Sequence, residues 1–174
     1  MSAAIGRPRR SWGWHRLADE WAARVVAAAE VRPGELVLDI GAGTGALTGY
    51  LVRAGARVVA VELHPGRAAL LRQRFPQITV IQVDVVNLRL PGRPFRVVAS
   101  PPYGITADLL DRLLAAGTRL VAADLVLQHA VVRKYADHRR AARTHRMSAG
   151  LVLPRHAFRP PPRVDSAVLI VRRR

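Results

Sequence analysis

Short apolar runs alternate with helical patterns along most of this 174-residue chain, and this alternation limits the fold most strongly. Apolar or β-branched runs of roughly 4–8 residues are typical of buried strands, and longer amphipathic segments are typical of helices. Predicted strands cover 36–40, 57–62, 78–83, 95–99, 120–127, 149–153 and 166–171, and predicted helices cover 17–30, 46–54, 65–75, 106–114 and 129–143. We therefore expect an α/β fold with a mostly parallel seven-stranded sheet covered by helices on both faces.

The last two predicted strands have no helix between them, only a proline-rich link at 158–163. Two strands joined in this way pair antiparallel, so we expect an antiparallel hairpin at one end of the sheet. Thr106 stands at the start of a helical pattern and is the expected N-cap. With no interdomain linker in view, residues 14–174 are predicted to form a single domain. Residues 1–13 are predicted to be a mobile basic arm.

The charge of the chain is +16, from 28 Lys and Arg against 12 Asp and Glu. Residues 1–16 carry four arginines and no acid, 17–132 carry twelve arginines and ten acids, and 133–174 carry twelve basic residues and two acids. This segregation predicts a polyanion-binding surface around a nearly neutral core, and a merely solubilising surface is the alternative. The candidate polyanion-binding residues are Arg7, Arg9, Arg10, Arg133, Lys134, Arg139, Arg140 and Arg143.

The chain contains no cysteine, which excludes disulfides and thiolate metal sites, and we expect no metal. No apolar run reaches the roughly 18 residues needed to cross a bilayer. The arginines of the first ten residues are not followed by an apolar segment of the kind found in secretory signals. We therefore expect a cytoplasmic protein without a membrane partner.

A glycine-rich loop, with Gly41, Gly43 and Gly45, follows the first predicted strand. The spacing also fits a dinucleotide fingerprint or a purely structural turn. Asp39 in the strand end would repel a pyrophosphate but could hold an ammonium, and Glu62 at the end of the next strand could bind a ribose diol. The two acids therefore favour an adenosyl ligand with an amino-acid tail.

Asp84 follows the third predicted strand by one residue. An acid at this edge of a parallel sheet can accept a hydrogen bond from an adenine amino group, although an aspartate at such a junction is as often a turn former. Asp39, Glu62 and Asp84 end three successive strands, which is where ligands lie in open α/β sheets.

The sequence Ser100-Pro101-Pro102-Tyr103 directly follows the fourth predicted strand. The exocyclic amine of adenine is a poor nucleophile because its lone pair is delocalised into the ring. The Ser100 hydroxyl and the Pro101 carbonyl could accept hydrogen bonds from that amine, on a backbone that the prolines restrict. Tyr103 offers a ring face on which an extruded base can stack. The alternative is a proline-rich turn with a packed tyrosine.

From about Leu17 to its end the chain resembles the class I methyltransferases that use S-adenosylmethionine, with their Rossmann-like fold. Within them it resembles the Erm and KsgA group of ribosomal RNA adenine-N6 methyltransferases, most closely the Erm side. The glycine motif with Ala46-Leu47-Thr48, the segment Val61-Glu62-Leu63 and the Ser-Pro-Pro-Tyr loop carry the resemblance. The most specific segment is the run Phe158-Arg159-Pro160-Pro161-Pro162-Arg163-Val164-Asp165-Ser166-Ala167-Val168.

Three departures from the family pattern stand out. Trp14-His15-Arg16-Leu17 replaces the common Gln-Asn-Phe-Leu, so the resemblance places His15 and Leu17 beside the cofactor, with His15 in place of the asparagine. Ser100 replaces the usual asparagine of the catalytic loop. Family members also carry a small helical domain after the last strand, which we expect this chain to lack. RNA binding would then fall on the basic arm and on the helix that contains Arg133.

The resemblance implies an enzyme that methylates N6 of an adenine in 23S ribosomal RNA, on naked RNA or on a precursor particle, and so confers resistance to macrolide-type antibiotics. The implied cofactor-binding residues are His15, Leu17, Asp39, Gly41, Gly43, Gly45, Glu62, Asp84 and Ser100. The implied catalytic residues are Ser100, Pro101 and Tyr103. Two alternatives stay open, a methyltransferase for a planar nitrogen of a protein and a catalytically silent RNA-binding module. We expect a monomer.

Overall fold

A computed structural model describes residues 14–137 and 144–174 of the chain. The predicted arm at 1–13 lies outside the described residues, and so do Arg139, Arg140 and Arg143. In the described part no helix is long and apolar enough to cross a membrane.

The strands of the described part form one large sheet and one two-stranded sheet. They are β1 (Arg16–Leu17), β2 (Leu36–Ile40), β3 (Arg57–Val61), β4 (Thr79–Ile81), β5 (Phe95–Ala99), β6 (Leu120–Gln128), β7 (His145–Leu153), β8 (Phe158–Arg159) and β9 (Ser166–Arg173). The helices are α1 (Asp19–Ala29), α2 (Ala46–Arg53), α3 (Pro65–Arg74), α4 (Thr106–Leu113) and α5 (His129–Asp137).

The large sheet has seven strands in the order β4-β3-β2-β5-β6-β9-β7. Strands β4 to β6 of this order are parallel, while β9 runs antiparallel to both β6 and β7. The connections β2–β3, β3–β4 and β5–β6 each contain an α-helix, whereas β7 reaches β9 without one, as expected for the two kinds of pairing. The predicted fold, a mostly parallel seven-stranded sheet with an antiparallel C-terminal hairpin, is confirmed.

Successive residues of the central strands are buried on opposite faces of the sheet, because side chains alternate along a strand. Leu38 and Val97 pack in a cluster that includes residues of α4 and α5. Val37 and Val98 pack in a second cluster that includes residues of α1 and α2. Burial on both faces explains why these strands read as continuous apolar runs instead of alternating ones.

Several element boundaries differ from those predicted. Helix α1 begins at Asp19 instead of residue 17, because Arg16 and Leu17 form β1, which pairs antiparallel with β8. Strand β7 begins at His145, four residues before the predicted start. The prediction that Thr106 caps α4 is wrong, because Ile105 occupies the N-cap position and no side chain caps the helix. The preceding 3₁₀ turn at Tyr103–Ile105 leads directly into the helix.

Candidate active site

The carboxyl ends of four parallel strands bring the predicted motifs to one edge of the sheet. The last residues of β2, β3 and β4 are register partners in the two ladders, with Ile40 opposite Val61 and Val61 opposite Ile81. The glycine-rich loop, Glu62 and Asp84 therefore leave the sheet side by side, and Ser100 leaves it from β5 on the other side of β2. This edge is the usual ligand site of open α/β sheets.

The glycine-rich loop needs its glycines for conformation and for close packing. Gly41, Gly43 and Gly45 have φ angles of 75°, 59° and 95°, a region that side chains with a Cβ rarely adopt. A Cβ on Gly41 would lie 2.8 Å from Pro102 Cδ and 3.2 Å from Pro101 Cα. The loop expected to hold the cofactor therefore packs directly against the loop expected to hold the acceptor.

The Asp39 carboxyl is buried at the end of β2 and hydrogen-bonds to a single neighbouring side chain. The Thr48 hydroxyl donates to Asp39 Oδ2 at 2.7 Å. Burial raises the pKa of Asp39 to about 7, the Thr48 hydrogen bond opposes this rise, and the nearby Glu62 charge adds to it. No ion pair joins Asp39 to another described residue. A carboxyl in this setting is suited to a cationic ligand, which would hold it in its charged form.

Glu62 is 4% exposed and its two oxygens have different partners. Oε2 accepts the Gly43 N–H at 2.8 Å. Oε1 accepts the His64 N–H at 2.9 Å and two N–H groups of the Arg67 guanidinium, both at 3.3 Å. A carboxylate has about four acceptor positions. Oε2 therefore retains capacity for one further donor, such as a ribose hydroxyl.

Asp84 precedes a 3₁₀ turn at Val85–Asn87, and its Oδ1 accepts the Val86 N–H at 3.2 Å. Asp84 is therefore a turn former, as the alternative interpretation of this residue held. Its second oxygen, Oδ2, could accept a hydrogen bond from an adenine amino group. Leu63 and Val86, which follow Glu62 and Asp84, are 43% and 46% exposed. Exposed apolar side chains beside two acids suit a planar base with a polar edge. From the sequence, Leu63 was named only within the segment Val61-Glu62-Leu63, and neither Leu63 nor Val86 was assigned to the site.

A cleft at this edge brings together five of the nine expected cofactor residues: His15, Leu17, Asp39, Gly41 and Ser100. Trp14, Arg16, Ala42, Thr44, Ala46 and Leu47 complete its lining. Four expected cofactor residues, Gly43, Gly45, Glu62 and Asp84, are not part of that lining. Gly43 lies under the Trp14 indole, and Gly45 packs against the Phe75 ring.

A second cleft adjoins the first and shares Trp14, His15 and Ser100 with it. Its other lining residues are Pro101, Pro102, Tyr103 and Phe158. The three residues expected to be catalytic, Ser100, Pro101 and Tyr103, therefore lie together here. Among the described residues none hydrogen-bonds to the Ser100 hydroxyl, so this oxygen is available to a ligand. Phe158 adds an aromatic wall that sequence reasoning did not assign to the site.

The Tyr103 ring is held from two sides. Its hydroxyl is 2.8 Å from Ser166 Oγ, and its ring stacks against His15 with centroids 6.0 Å apart and planes at 29°. Burial raises the pKa of the Tyr103 hydroxyl, so it stays protonated. Phe158 and Ser166 both belong to the C-terminal run that carried the resemblance. Their physical roles, a wall of the cleft and an anchor for Tyr103, were not apparent from the sequence.

His15 lies between the two clefts, as a polar group placed over a cofactor would. Its Nδ1 is 2.6 Å from the carbonyl oxygen of Pro160. A carbonyl only accepts hydrogen bonds, so this contact places a proton on Nδ1. The position agrees with a role beside the cofactor and also makes His15 a neighbour of any base on Tyr103.

Of the eight predicted polyanion-binding residues, Arg133 and Lys134 lie within the described residues, on the exposed side of α5. Helix α5 begins directly after Gln128, the register partner of Ser166. It therefore starts beside the residue that anchors Tyr103. Arg7, Arg9, Arg10, Arg139, Arg140 and Arg143 lie outside the described residues. No group of three or more His, Asp or Glu side chains that could hold a metal ion occurs in the described ranges.

The residues at the sheet edge fit S-adenosylmethionine better than a dinucleotide. The buried Asp39 suits the ammonium of an amino-acid tail, Glu62 Oε2 can accept from a ribose hydroxyl, and the surroundings of Leu63 suit an adenine. A pyrophosphate would instead meet the negative charge of the two acids. Fold and site together define the domain as a class I methyltransferase.

Comparisons with known proteins identify the family. The sequence model for ribosomal RNA adenine dimethylase matches residues 7–174. An rRNA methyltransferase of Streptomyces thermotolerans is 40% identical over 180 residues, which cover 97% of this chain and 60% of that protein. The ribosomal RNA small subunit methyltransferase A of Leptothrix cholodnii is 35% identical, over 93% of this chain and 66% of that protein.

A crystal structure of the 23S rRNA methyltransferase ErmE superposes with a TM-score of 0.81 at 33% identity, over 91% of this chain and 69% of that one. The chain belongs to the ribosomal RNA adenine dimethylase family. This membership confirms the expected resemblance to the Erm and KsgA group, a family whose enzymes use S-adenosylmethionine. The chain spans 60% and 66% of the two curated relatives described above.

Proposed function

We propose that this protein transfers a methyl group from S-adenosylmethionine to N6 of an adenine in 23S ribosomal RNA. The observation that carries the proposal is the pair of adjoining clefts that meet at Ser100. One cleft contains the buried acid and the glycine-rich loop, and the other contains the Ser-Pro-Pro-Tyr loop and two aromatic walls. The likeness to ErmE supports the large subunit as the target. Modification there would give resistance to macrolide-type antibiotics.

The cofactor would be held by the residues at the carboxyl edge of the sheet. Asp39 would bind the ammonium, Glu62 the ribose and Asp84 the adenine, while Gly41 and Gly43 would let the backbone approach closely. His15 and Leu17 would cover the methionine end. When bound, S-adenosylmethionine supplies a methyl group that its sulfonium sulfur has already activated.

The second cleft would hold and orient the target base. Tyr103 would stack on an extruded adenine, with Phe158 as the opposing apolar surface. Ser100 Oγ and the carbonyl of Pro101 would accept hydrogen bonds from the exocyclic amine, which favours tetrahedral character at N6. The contact of Gly41 with Pro101 and Pro102 would fix the distance between the two ligands.

The basic surface would bind the RNA backbone. Arg133 and Lys134 extend from a helix that begins after Gln128, the register partner of Ser166, so they would contact phosphates near the target adenine. Arg7, Arg9, Arg10, Arg139, Arg140 and Arg143 would add to this electrostatic attraction. We infer a monomer that acts in the cytoplasm, on naked large-subunit RNA or on a precursor particle.

A second candidate target is an adenine of the small-subunit RNA, since one relative is a small subunit methyltransferase A that is 35% identical. A substrate panel separates the candidates: 23S RNA, 16S RNA, both assembled subunits, DNA and a histone-like protein, each with radiolabelled S-adenosylmethionine. We expect label in 23S RNA. Label in 16S RNA would move the target to the small subunit, and label in protein would favour the planar-nitrogen alternative. Cofactor binding without any transfer would favour the silent RNA-binding module.

A further inference from the structure

Arg16 lies in the cofactor cleft, yet the sequence interpretation gave it no role. It is a residue of β1, and its pairing with Arg159 of β8 holds its backbone at the rim of the site. Arg16 lines the same cleft as Asp39, Gly41 and Thr44. In the family pattern a phenylalanine is common at this position, so the arginine adds a positive charge that the pattern does not include.

The Arg16 guanidinium has spare donors that could bind an anion. Its Nε donates to the Thr44 hydroxyl at 3.3 Å, and its Nη2 donates to Asp19 Oδ1 at 3.4 Å. The Asp19 contact is long, and the two side chains are 37% and 70% exposed. Exposed pairs of this kind contribute little to stability. Because a guanidinium has five N–H donors, several remain available, and the Asp19 contact can be exchanged for a ligand.

The cleft therefore carries opposite charges on its walls. Asp39 contributes a buried carboxyl and Arg16 a guanidinium. Thr44, whose hydroxyl accepts from Arg16, adds an O–H donor on the guanidinium side. A ligand matched to this arrangement carries an ammonium and a carboxylate close together, as the tail of an α-amino acid does. Arg–carboxylate pairs can form two parallel hydrogen bonds, which fix orientation as well as adding affinity.

We propose that Arg16, with Thr44, binds the α-carboxylate of the cofactor's methionine tail, opposite the Asp39 that receives its α-ammonium. The inference rests on the proposed use of S-adenosylmethionine and names a further binding residue for it. The cleft then selects a zwitterionic tail, and it discriminates against adenosyl compounds that lack the carboxylate.

The test compares ligands that differ in the tail, by calorimetry. S-adenosylhomocysteine carries the whole amino-acid tail, decarboxylated S-adenosylhomocysteine lacks the carboxylate alone, and 5′-methylthioadenosine lacks the tail. For the parent protein we expect the decarboxylated compound to bind at least tenfold more weakly than S-adenosylhomocysteine. Arg16→Gln should weaken S-adenosylhomocysteine by about ten- to hundredfold, the loss typical of a hydrogen bond to a charged group. The same substitution should change the affinities for the other two ligands by less than twofold.

The controls use neighbouring residues. Arg159→Gln removes the register partner of Arg16, which lines neither cleft, and should leave all three affinities unchanged. Asp19→Asn removes the competing carboxylate and should leave S-adenosylhomocysteine binding equal or tighter. Arg16→Lys should restore part of the affinity, which separates a charge effect from a folding defect.

The outcomes also separate this inference from the proposed function. If Arg16→Gln weakened all three ligands equally, or if the parent bound the decarboxylated compound as tightly as S-adenosylhomocysteine, Arg16 would not be the carboxylate ligand. In both cases adenosyl binding itself, and with it the proposed function, would stand. A parent protein that bound none of the three ligands would instead overturn both.

Discussion

At the scale of single residues, the site depends on carboxyl and hydroxyl groups whose surroundings change their chemistry. Asp39 is the clearest case, because its pKa lies near 7 instead of 3.8 as a result of burial. The folded protein therefore holds this proton more tightly than the unfolded chain between pH 3.8 and about 7. It follows that the Asp39 contribution to the free energy of unfolding falls as the pH rises through this window.

Asp39→Asn keeps the shape and an acceptor for the Thr48 hydroxyl but cannot ionise. We expect the ligand-free variant to have a higher melting temperature than the parent at pH 8 and a similar one at pH 4. The reason is that the parent must bury a charged carboxylate only at the higher pH. For a chain of this size roughly 2–4 °C corresponds to 1 kcal/mol. S-adenosylhomocysteine binding at pH 8 should fall at least tenfold. Equal melting differences at both pH values would contradict the raised pKa.

Tyr103 and Ser166 allow a test of how the Tyr103 ring, the proposed stacking surface for the base, is held in place. Tyr103→Phe and Ser166→Ala each remove the same 2.8 Å hydrogen bond and keep the ring face. Each should lower turnover by a similar small factor, and the double variant should be no worse than either single one. Tyr103→Ala removes the stacking surface, worth roughly 1–3 kcal/mol per base, and should lower turnover much further. All four variants should bind S-adenosylhomocysteine like the parent. The changes in turnover are measured by single-turnover methyl transfer.

At the scale of elements, α4 connects the cleft that contains Tyr103 to the turn after Asp84, the proposed adenine end of the cofactor site. The helix begins where the Ser-Pro-Pro-Tyr loop ends. In its last turn, Arg112 donates to the carbonyl of Val86 at 2.9 Å and also to the carbonyl of Leu88. These carbonyls belong to the turn that follows Asp84. One helix thus contacts both loops, and we infer that Arg112 positions Asp84 through this turn.

Arg112→Gln should loosen this turn and weaken S-adenosylhomocysteine about three- to tenfold, with a melting temperature lowered by roughly 2–4 °C for each 1 kcal/mol lost. Arg89→Gln, on the exposed side of the same segment, is the matched control and should change neither quantity. Adenosine alone should show the same loss as S-adenosylhomocysteine, because the effect acts through the adenine. If Arg112→Gln bound adenosine as tightly as the parent does, Arg112 would not position Asp84.

At the scale of the whole molecule, the sequence predicted the sheet and its edge well. Strand-like runs and glycines are local signals, so the mostly parallel sheet, its antiparallel hairpin and the positions of Asp39, Glu62 and Ser100 at strand ends were predicted. Contacts between distant segments carry no local signal. The β1–β8 pair, the hydrogen bond between Tyr103 and Ser166 and the reach of Arg112 join residues that are 24 or more positions apart. Thr106 was misassigned because the 3₁₀ turn at Tyr103–Ile105 leads directly into α4, so that Ile105 and not Thr106 occupies the N-cap position.

The charge distribution gives a whole-molecule prediction about RNA affinity. Arg133→Gln with Lys134→Gln should make the slope of log affinity against log salt shallower by about 1 unit, at about 0.7 per phosphate contact on single strands. Deleting residues 1–10 removes three arginines and should make the slope shallower by up to ~2 units. Neither change should alter cofactor affinity.

The matched control for the salt series replaces Arg32, Arg57 and Arg93 with glutamine. These exposed arginines lie at the amino-terminal ends of β2, β3 and β5, the edge of the sheet opposite the clefts. Their removal changes the net charge as much as the arm deletion does, but it should leave the salt slope as in the parent. Parallel slopes for parent, control and both basic-surface variants would show that the RNA is held elsewhere.

The central claim, that the two adjoining clefts deliver a methyl group to N6 of an adenine in 23S RNA, is tested most directly by nucleoside mass spectrometry. The 23S RNA is incubated with S-adenosylmethionine and either the parent or the Tyr103→Ala protein, then digested to nucleosides. We expect N6-methylated adenosine after treatment with the parent, and a large loss of it with Tyr103→Ala although that variant still binds the cofactor. Methylation of another base or of a ring atom by the parent would contradict N6 transfer, and undiminished N6 methylation by Tyr103→Ala would contradict the role of the second cleft.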